Sequence, residues 1–433
     1  MAYGEILMAG IILLTVAIMP VMVPAAWRLM AAVWLAVFQV YTLPVHGFYP
    51  SLAFLCSIGL WPELIKRGRE LLRWRITHYY FLLMAVQVIS LAWSPDIGQG
   101  VRLIALMIPF AFILAATIEV VERRENTIRP LAYGVLAGAV VEASLVTVFH
   151  FVPAWDIGFL SSSIARLFIN PNALTPDRIP YKHLCAFLFN PNTAAAYLGI
   201  TSLFAQAIAW RYRQWWMMLV GLFLGLGVVF TDSTAGLLLL TICYGTLLFI
   251  FIWPKLRGWA KSCLIVGLIL GGLLLIQHLD TIAPTLGDSW SDRVLLWNFG
   301  RISFPDHPLR GLGFGGWEIA IKEYVKQTGY PRIAPPPHNT IIALWSQSGL
   351  IAALLGVLFI VETLVFIWRS RNTPRWRGFM TCVTLAMAWY FIHQQADNWG
   401  LVNERHIMPI AAMLIGIVYV LSHPSAPQGH DDA

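Results

Sequence analysis

The sequence predicts an all-α integral membrane protein, a polytopic bundle of about twelve transmembrane helices with one face carrying substantial loops. Three observations predict it. Charged residues are only 12% of the 433-residue chain and hydrophobic residues are 58%, against roughly 25% charged in soluble domains. Mean hydropathy is +0.69. Apolar runs long enough to span a bilayer recur between short basic clusters, and at roughly 35 residues per span and connection the chain holds about twelve. A soluble enzyme, a disordered chain and a collagen-like fibre are excluded.

The N-terminal MAYGEILMAG lacks the positive region of a signal peptide, so the first apolar run is expected to be retained as a span. Pro20, Pro24, Pro44 and Pro50 cut the first 65 residues into two tilted spans or three short ones. Twelve spans place the N-terminus inside; thirteen place it outside. The next signal is the cluster Lys66, Arg67, Arg69, Arg73, Arg75, a cytoplasmic marker because short loops rich in Lys and Arg stay inside. Four more clusters follow: Arg123, Arg124, Arg129; Arg211, Arg213; Lys255, Arg257, Lys261; and Arg369, Arg371, Arg375, Arg377. Two spans fit between each successive pair, so all five share one side. The clusters read as compact and nearly free of acid.

Spans are expected at about 78–93, 103–120, 131–151, 184–209, 215–231, 235–253, 262–279, 339–367, 378–395 and 407–421. The chain thus divides into a transmembrane region 1–279 with an outer loop 152–183, a large outer loop 280–338, C-terminal spans 339–421 and a cytoplasmic tail 422–433. The net charge of +7 does not indicate nucleic acid, because the bases fall between apolar runs rather than along a polar face. Cys56, Cys185, Cys243, Cys263 and Cys382 each stand singly in apolar stretches, as buried thiols do, without the pairing of a disulfide or zinc site.

Chemistry concentrates in the second outer loop and the helix after it. Seventeen of the 29 bases lie in the five clusters, and six of the remaining twelve, Arg293, Arg301, Arg310, Lys322, Lys326 and Arg332, sit in 280–338. Pro335, Pro336 and Pro337 hold the chain extended just before His338 and Asn339, which stand at the mouth of a long apolar helix. Asn339 has the position of a cap. Imidazole titrates near neutral pH, which suits proton transfer by His338. Arg293 can grip a phosphate in two-point geometry or simply pair with Asp288 or Asp292. GLGFGG at 311–316 lacks the Lys-Ser/Thr of a phosphate loop and is read as tight turns. GWEIAIKEYVKQTGY places Trp317, Ile321 and Tyr324 or Val325 on one stripe, as in a helix lying on a membrane surface. In the first loop, Arg166, Arg178 and Lys182 precede FNPNTAAAYLG, where Asn190 and Asn192 either cap a helix or recognise sugar or phosphate. Asp232 stands at the outer end of a span or in a tight hairpin, and Arg405 at the outer end of the last span.

Arg293, Trp297, His307-Pro308-Leu309, Gly311, Gly313, His338-Asn339 and Gly349 together resemble the signature region of the O-antigen ligase and polymerase superfamily; NPN-x-x-A at 190–195 agrees more loosely. The resemblance implies a GT-C-like glycosyltransferase of the bacterial inner membrane, with short amphipathic helices in a periplasmic loop subdomain and a periplasmic active site. As an O-antigen ligase it would transfer glycan from undecaprenyl diphosphate to lipid A-core oligosaccharide. On that reading His338 is the general base and Arg293 holds the donor diphosphate. Asn192 and Asn339 contact substrate, the anomeric centre inverts, and no metal or other cofactor takes part. The family's Ser-Arg pair at a middle span is replaced by TDSTAG, so a second cation must come from elsewhere, with Arg166 and Arg405 as candidates. Gln347 stands where the family often has Glu. The alternatives are a polymerase or a protein O-oligosaccharyltransferase of the same superfamily. From another class comes a lipid-linked glycan flippase, which would place its polar groups at the bilayer midplane, often in repeated halves; no repeat is visible.

Overall fold

The structure, a computed structural model, describes residues 3–41, 48–169, 185–262, 266, 288–303, 307–328, 337–397, 401–402 and 404–423. They form helices α1 (Tyr3–Met22), α2 (Ala25–Trp34), α3 (Leu52–Ile58), α4 (Trp61–Arg73), α5 (Arg75–Ser90), α6 (Ile97–Arg123), α7 (Ile128–Phe151), α8 (Pro153–Leu160) and α9 (Ala165–Phe168). Then come α10 (Pro191–Tyr212), α11 (Trp215–Val229), α12 (Thr234–Ile252), α13 (Asp288–Ser303), α14 (Trp317–Thr328), α15 (Thr340–Ser370), α16 (Arg377–His393) and α17 (Met408–Ser422).

Among the described residues six helical stretches are long and apolar enough to cross a membrane: Arg75–Trp93, Ile97–Arg123, Glu125–Phe151, Pro191–Tyr212, Thr234–Lys255 and Thr340–Ser370. Trp215–Val229 and Met408–Ser422 are shorter apolar helices, and α16 has 17 residues. The chain is therefore a polytopic membrane protein. The expected span 262–279 lies almost wholly outside the described residues, as do Cys263, Arg178, Lys182, Arg332, Pro335, Pro336 and most of the tail. Cys56, Cys185, Cys243 and Cys382 are buried and free, as their apolar settings predict.

Of the prolines expected to cut the first apolar region, Pro44 lies outside the described residues, and Pro20 lies inside α1 and does not interrupt it. Pro24 precedes the first turn of α2, where its missing N–H costs nothing. The basic segment 66–75 is helical rather than a loop, apart from a break at Trp74: α4 leaves Lys66, Arg69 and Arg73 exposed and buries Glu63 and Leu71. Glu63 meets Arg28 at 3.0 Å with both side chains nearly inaccessible, a pairing of α2 with α4 that hydropathy alone did not reveal. The clusters are also less acid-free than their sequence suggested. Arg67 binds Glu70, Glu119 at 2.8 Å and Glu122, which ties α4 to the end of α6. Positive charge still dominates there, and these acids are spent on helix packing.

α10 is the central element, with 94% of its apolar window buried. Ala194, Ala195, Ala196, Ala205 and Ala207 are fully inaccessible, and such small residues let α7, α11 and α16 approach closely where lipid offers no hydrophobic drive. α6, 27 residues long, extends about 40 Å at the usual rise. Its N-terminal part faces α15 and the loop 307–316, while its C-terminal end reaches the basic clusters.

The two ends set a test of orientation. In a cysteine-free variant, single Cys residues at Ser162 or Thr328 should react with an impermeant thiol reagent in intact spheroplasts, and a Cys at Asn372 should not. Labelling at 372 without labelling at 162 and 328 inverts the topology.

Candidate functional site

The start of α15 is assembled by neighbouring chain. Asn339 caps the helix by accepting from Ile342 N at 3.0 Å, as its sequence position suggests. Its amide nitrogen donates to Gln395 O at 3.3 Å. Thr340 donates to Gln394 O through both backbone N and Oγ1, each at 3.2 Å. Residues 394 and 395 follow α16 directly, so the first turn of α15 satisfies carbonyls that the end of α16 leaves open.

This docking brings His338 to Asp397, with Nδ1 3.6 Å from Oδ1 and the carboxylate only 1% exposed. The separation exceeds a formed hydrogen bond. His338 also has φ +47°, a left-handed conformation that costs a side-chain-bearing residue about 1–2 kcal/mol. The neighbouring Asn339 and Thr340, docked on the end of α16, fix the chain there. His393, at the end of α16, lies within electrostatic reach of both Asp397 and Arg293. Arg293 is half-buried on α13, and no hydrogen-bond partner for its Nε is present among the described residues.

α13 is positioned by α14. Leu296 and Phe299 of α13 pack on Trp317 and Ile321 of α14, with the Phe299 and Trp317 rings 5.1 Å apart. The apolar stripe of α14 is therefore spent on a partner helix, not on the membrane surface as its spacing suggested. An amphipathic pattern reports that a face is covered and does not say by what.

The glycine loop has a structural task. α15 is broken at Gly349, whose φ +83° and ψ 179° are not helical, and the loop 307–316 lies along the break. Leu312 N donates to Ser346 O at 2.7 Å, Gly313 N to Gln347 O at 2.9 Å and Leu350 N to Pro308 O at 3.0 Å. Gly315 N donates to Gln347 Oε1 at 3.0 Å. Gln347 thus anchors the strap, the role found here for the residue that departs from the family's Glu. A Cβ on Gly349 would lie 1.9 Å from Leu309 O. Gly349→Ala combines that clash with a conformation that costs non-glycine residues about 1–3 kcal/mol. The expected outcome is a large fall in folded yield and thermal midpoint in detergent; wild-type values would mean that the break is not needed.

Strap, α6 and α15 enclose a cavity of about 220 Å³ whose lining includes Gln87, Gln99, Glu318, Asn339, Gln347 and Asp397. Amides and carboxylates around a partly apolar hollow are the groups that hydrogen-bond sugar hydroxyls. Asn339 lines it, whereas His338, Arg293, Arg166, Arg405 and Asn192 do not; His338 adjoins it through its neighbours Pro337 and Asn339 and through Asp397. Arg166 is exposed on α9. Asn192 Oδ1 accepts from Ser233 Oγ at 2.7 Å, joining the starts of α10 and α12. Asn190 caps α10. Asp232, φ +57°, sits in the turn between α11 and α12, 3.8 Å from His150. The Arg405 guanidinium lies over the rings of Tyr41 and Phe48, with Nη1 3.4 Å from Tyr49 O, beside a separate small hollow. Burial pushes the adjacent Glu404 carboxyl up to about 8, opposed by the amides of Ile407 and His406.

Asp397 and His393 are the site residues that sequence reasoning missed. The available signal was HQQAD itself, a carboxylate and an imidazole four residues apart at the outer end of an apolar run, where ionisable groups mark function.

Residues 219–357 match the family model described as O-antigen ligase, a glycosyltransferase-type family. The match covers about a third of the chain and contains Arg293, the glycine strap, His338, Asn339 and Gly349. No curated protein matches the chain.

Proposed function

We propose that the protein is an O-antigen ligase of about twelve spans in the bacterial inner membrane. It transfers glycan from undecaprenyl diphosphate to lipid A-core oligosaccharide at the periplasmic face. The observation that carries this reading is His338 3.6 Å from buried Asp397, whose side chain lines a largely apolar cavity with a few polar groups, with His393 within electrostatic reach of both Asp397 and Arg293. An acceptor hydroxyl attacks the anomeric carbon of the donor glycan from the face opposite the diphosphate. His338 takes the hydroxyl proton, and Asp397 orients the imidazole and balances its charge. The carbon–oxygen bond to phosphate breaks, the bonding pair leaves with undecaprenyl diphosphate, and the centre inverts. Arg293 stabilises the charge gathering on the departing diphosphate. The second cation is assigned to Arg166 or Arg405, both of which lie outside the cavity lining. Asn339 shapes the cavity through its two internal hydrogen bonds, and Asn192 acts through the α10–α12 junction.

Guanidinium groups can do for a diphosphate what a divalent ion does elsewhere, so activity should survive EDTA. Loss rescued by Mg²⁺ would refute that. The reading as a whole is tested by incubating purified protein with lipid-linked glycan and lipid A-core and resolving the products on a gel. A joined lipid A-core glycan is expected. A ladder of longer lipid-linked chains would instead make the protein a polymerase.

A further inference from the structure

At the end of the bundle opposite His338, three separate connections, those between α6 and α7, α10 and α11, and α15 and α16, converge on one cavity. It is lined by Arg123, Arg124, Arg129, Arg211, Arg213 and Arg375, together with Glu125, Asn126 and Tyr212, and its volume is about 740 Å³. The opposition is set by the helices. α6 has Gln99 at the first cavity and Arg123 at this one, and α15 leads from the His338 end towards Arg375. Retention of basic loops on one side of a membrane requires charge in those loops but does not require the loops to gather their charge around a hollow.

Two of the six arginines have carboxylate partners, Arg123 with Glu119 and Arg211 with Glu125. Among the described residues no ion pair involves Arg124, Arg129, Arg213 or Arg375. Side-chain stacking pre-forms part of the wall. Arg211 lies 3.6 Å from the centre of the Trp376 ring, Arg375 4.5 Å from the same ring and Arg129 4.4 Å from that of Tyr212. Every base in the lining is arginine, the cation that meets phosphate oxygens with paired donors. Trp210, Trp215 and Trp216 are exposed beside it, as aromatic side chains are at the depth of lipid headgroups.

We infer that this cavity is a binding site for a phosphate polyanion, distinct from the proposed transfer site and independent of the ligase reading. Arg129, Arg213 and Arg375 bind the phosphate oxygens. Arg211 is committed to Glu125 and Trp376 and holds the wall. Two sources carry this chemistry, an anionic phospholipid headgroup and a soluble phosphate compound.

The test uses full-length protein in nanodiscs of zwitterionic lipid. In one arm cardiolipin is added to the bilayer; in the other inorganic pyrophosphate is added to the buffer. Each is followed by thermal midpoint and by native mass spectrometry. At least one probe should bind and raise the midpoint, with the effect fading at high salt. Binding should weaken about tenfold for each of Arg213→Gln and Arg375→Gln, two exposed positions whose replacement leaves the Arg211 contacts in place. Arg213→Lys should recover only part of it. Cardiolipin alone identifies a lipid site, and pyrophosphate alone a soluble-anion site. Binding of neither probe by the wild type, or equal binding by wild type and both Gln variants, would overturn the proposal.

Discussion

His338→Ala should lose transfer by about 10² to 10⁴-fold, the contribution of a positioned general base, while the protein still inserts and folds. The side chain fills no core, being 27% exposed, so its removal leaves packing intact. Because the backbone is left-handed there, Ala also bears a conformational cost, and His338→Asn separates the two effects. Asn tolerates that region but cannot take the proton. Both variants should be inactive, with Asn the better folded by size-exclusion profile and thermal midpoint. Wild-type-like product from either well-folded variant would remove His338 from the mechanism.

Arg293→Lys should be nearly as damaging as Arg293→Ala, each lowering transfer by about 10²-fold or more. An ammonium keeps the charge but not the planar fork that meets two phosphate oxygens at once. The comparison is made on the rate of joined product at saturating acceptor, with donor varied. If Lys restores most of the activity, Arg293 acts as a general positive charge only.

How much of this was legible in the sequence depended on the range of the interaction. The long spans were visible because a bilayer demands about 20 apolar residues in sequence, and α5, α6, α7, α10, α12 and α15 appear close to where hydropathy put them. The place of His338 at a helix mouth was legible locally, through the prolines and the capping Asn339. Its companion Asp397 lies 59 residues away and meets it only because α15 docks on the end of α16. The stripe of α14 was read correctly as covered and assigned the wrong cover, since periodicity carries no information about a neighbour such as Phe299. The glycines at 311, 313 and 315 were recognised as turn residues, and all three have positive φ. That they brace a break at Gly349 was beyond any local signal. The same holds for the salt bridge of Arg28 with Glu63, two charges 35 residues apart that a hydropathy window averages away.

The measurement that bears most directly on the central claim is the stoichiometry of the reaction in purified, reconstituted protein. Undecaprenyl diphosphate released from the donor is quantified against glycan joined to lipid A-core. One molecule should be released for each glycan joined, with both abolished together by His338→Ala. Movement of intact donor between leaflets without release, unaffected by that substitution, would make the protein a transporter and not a transferase.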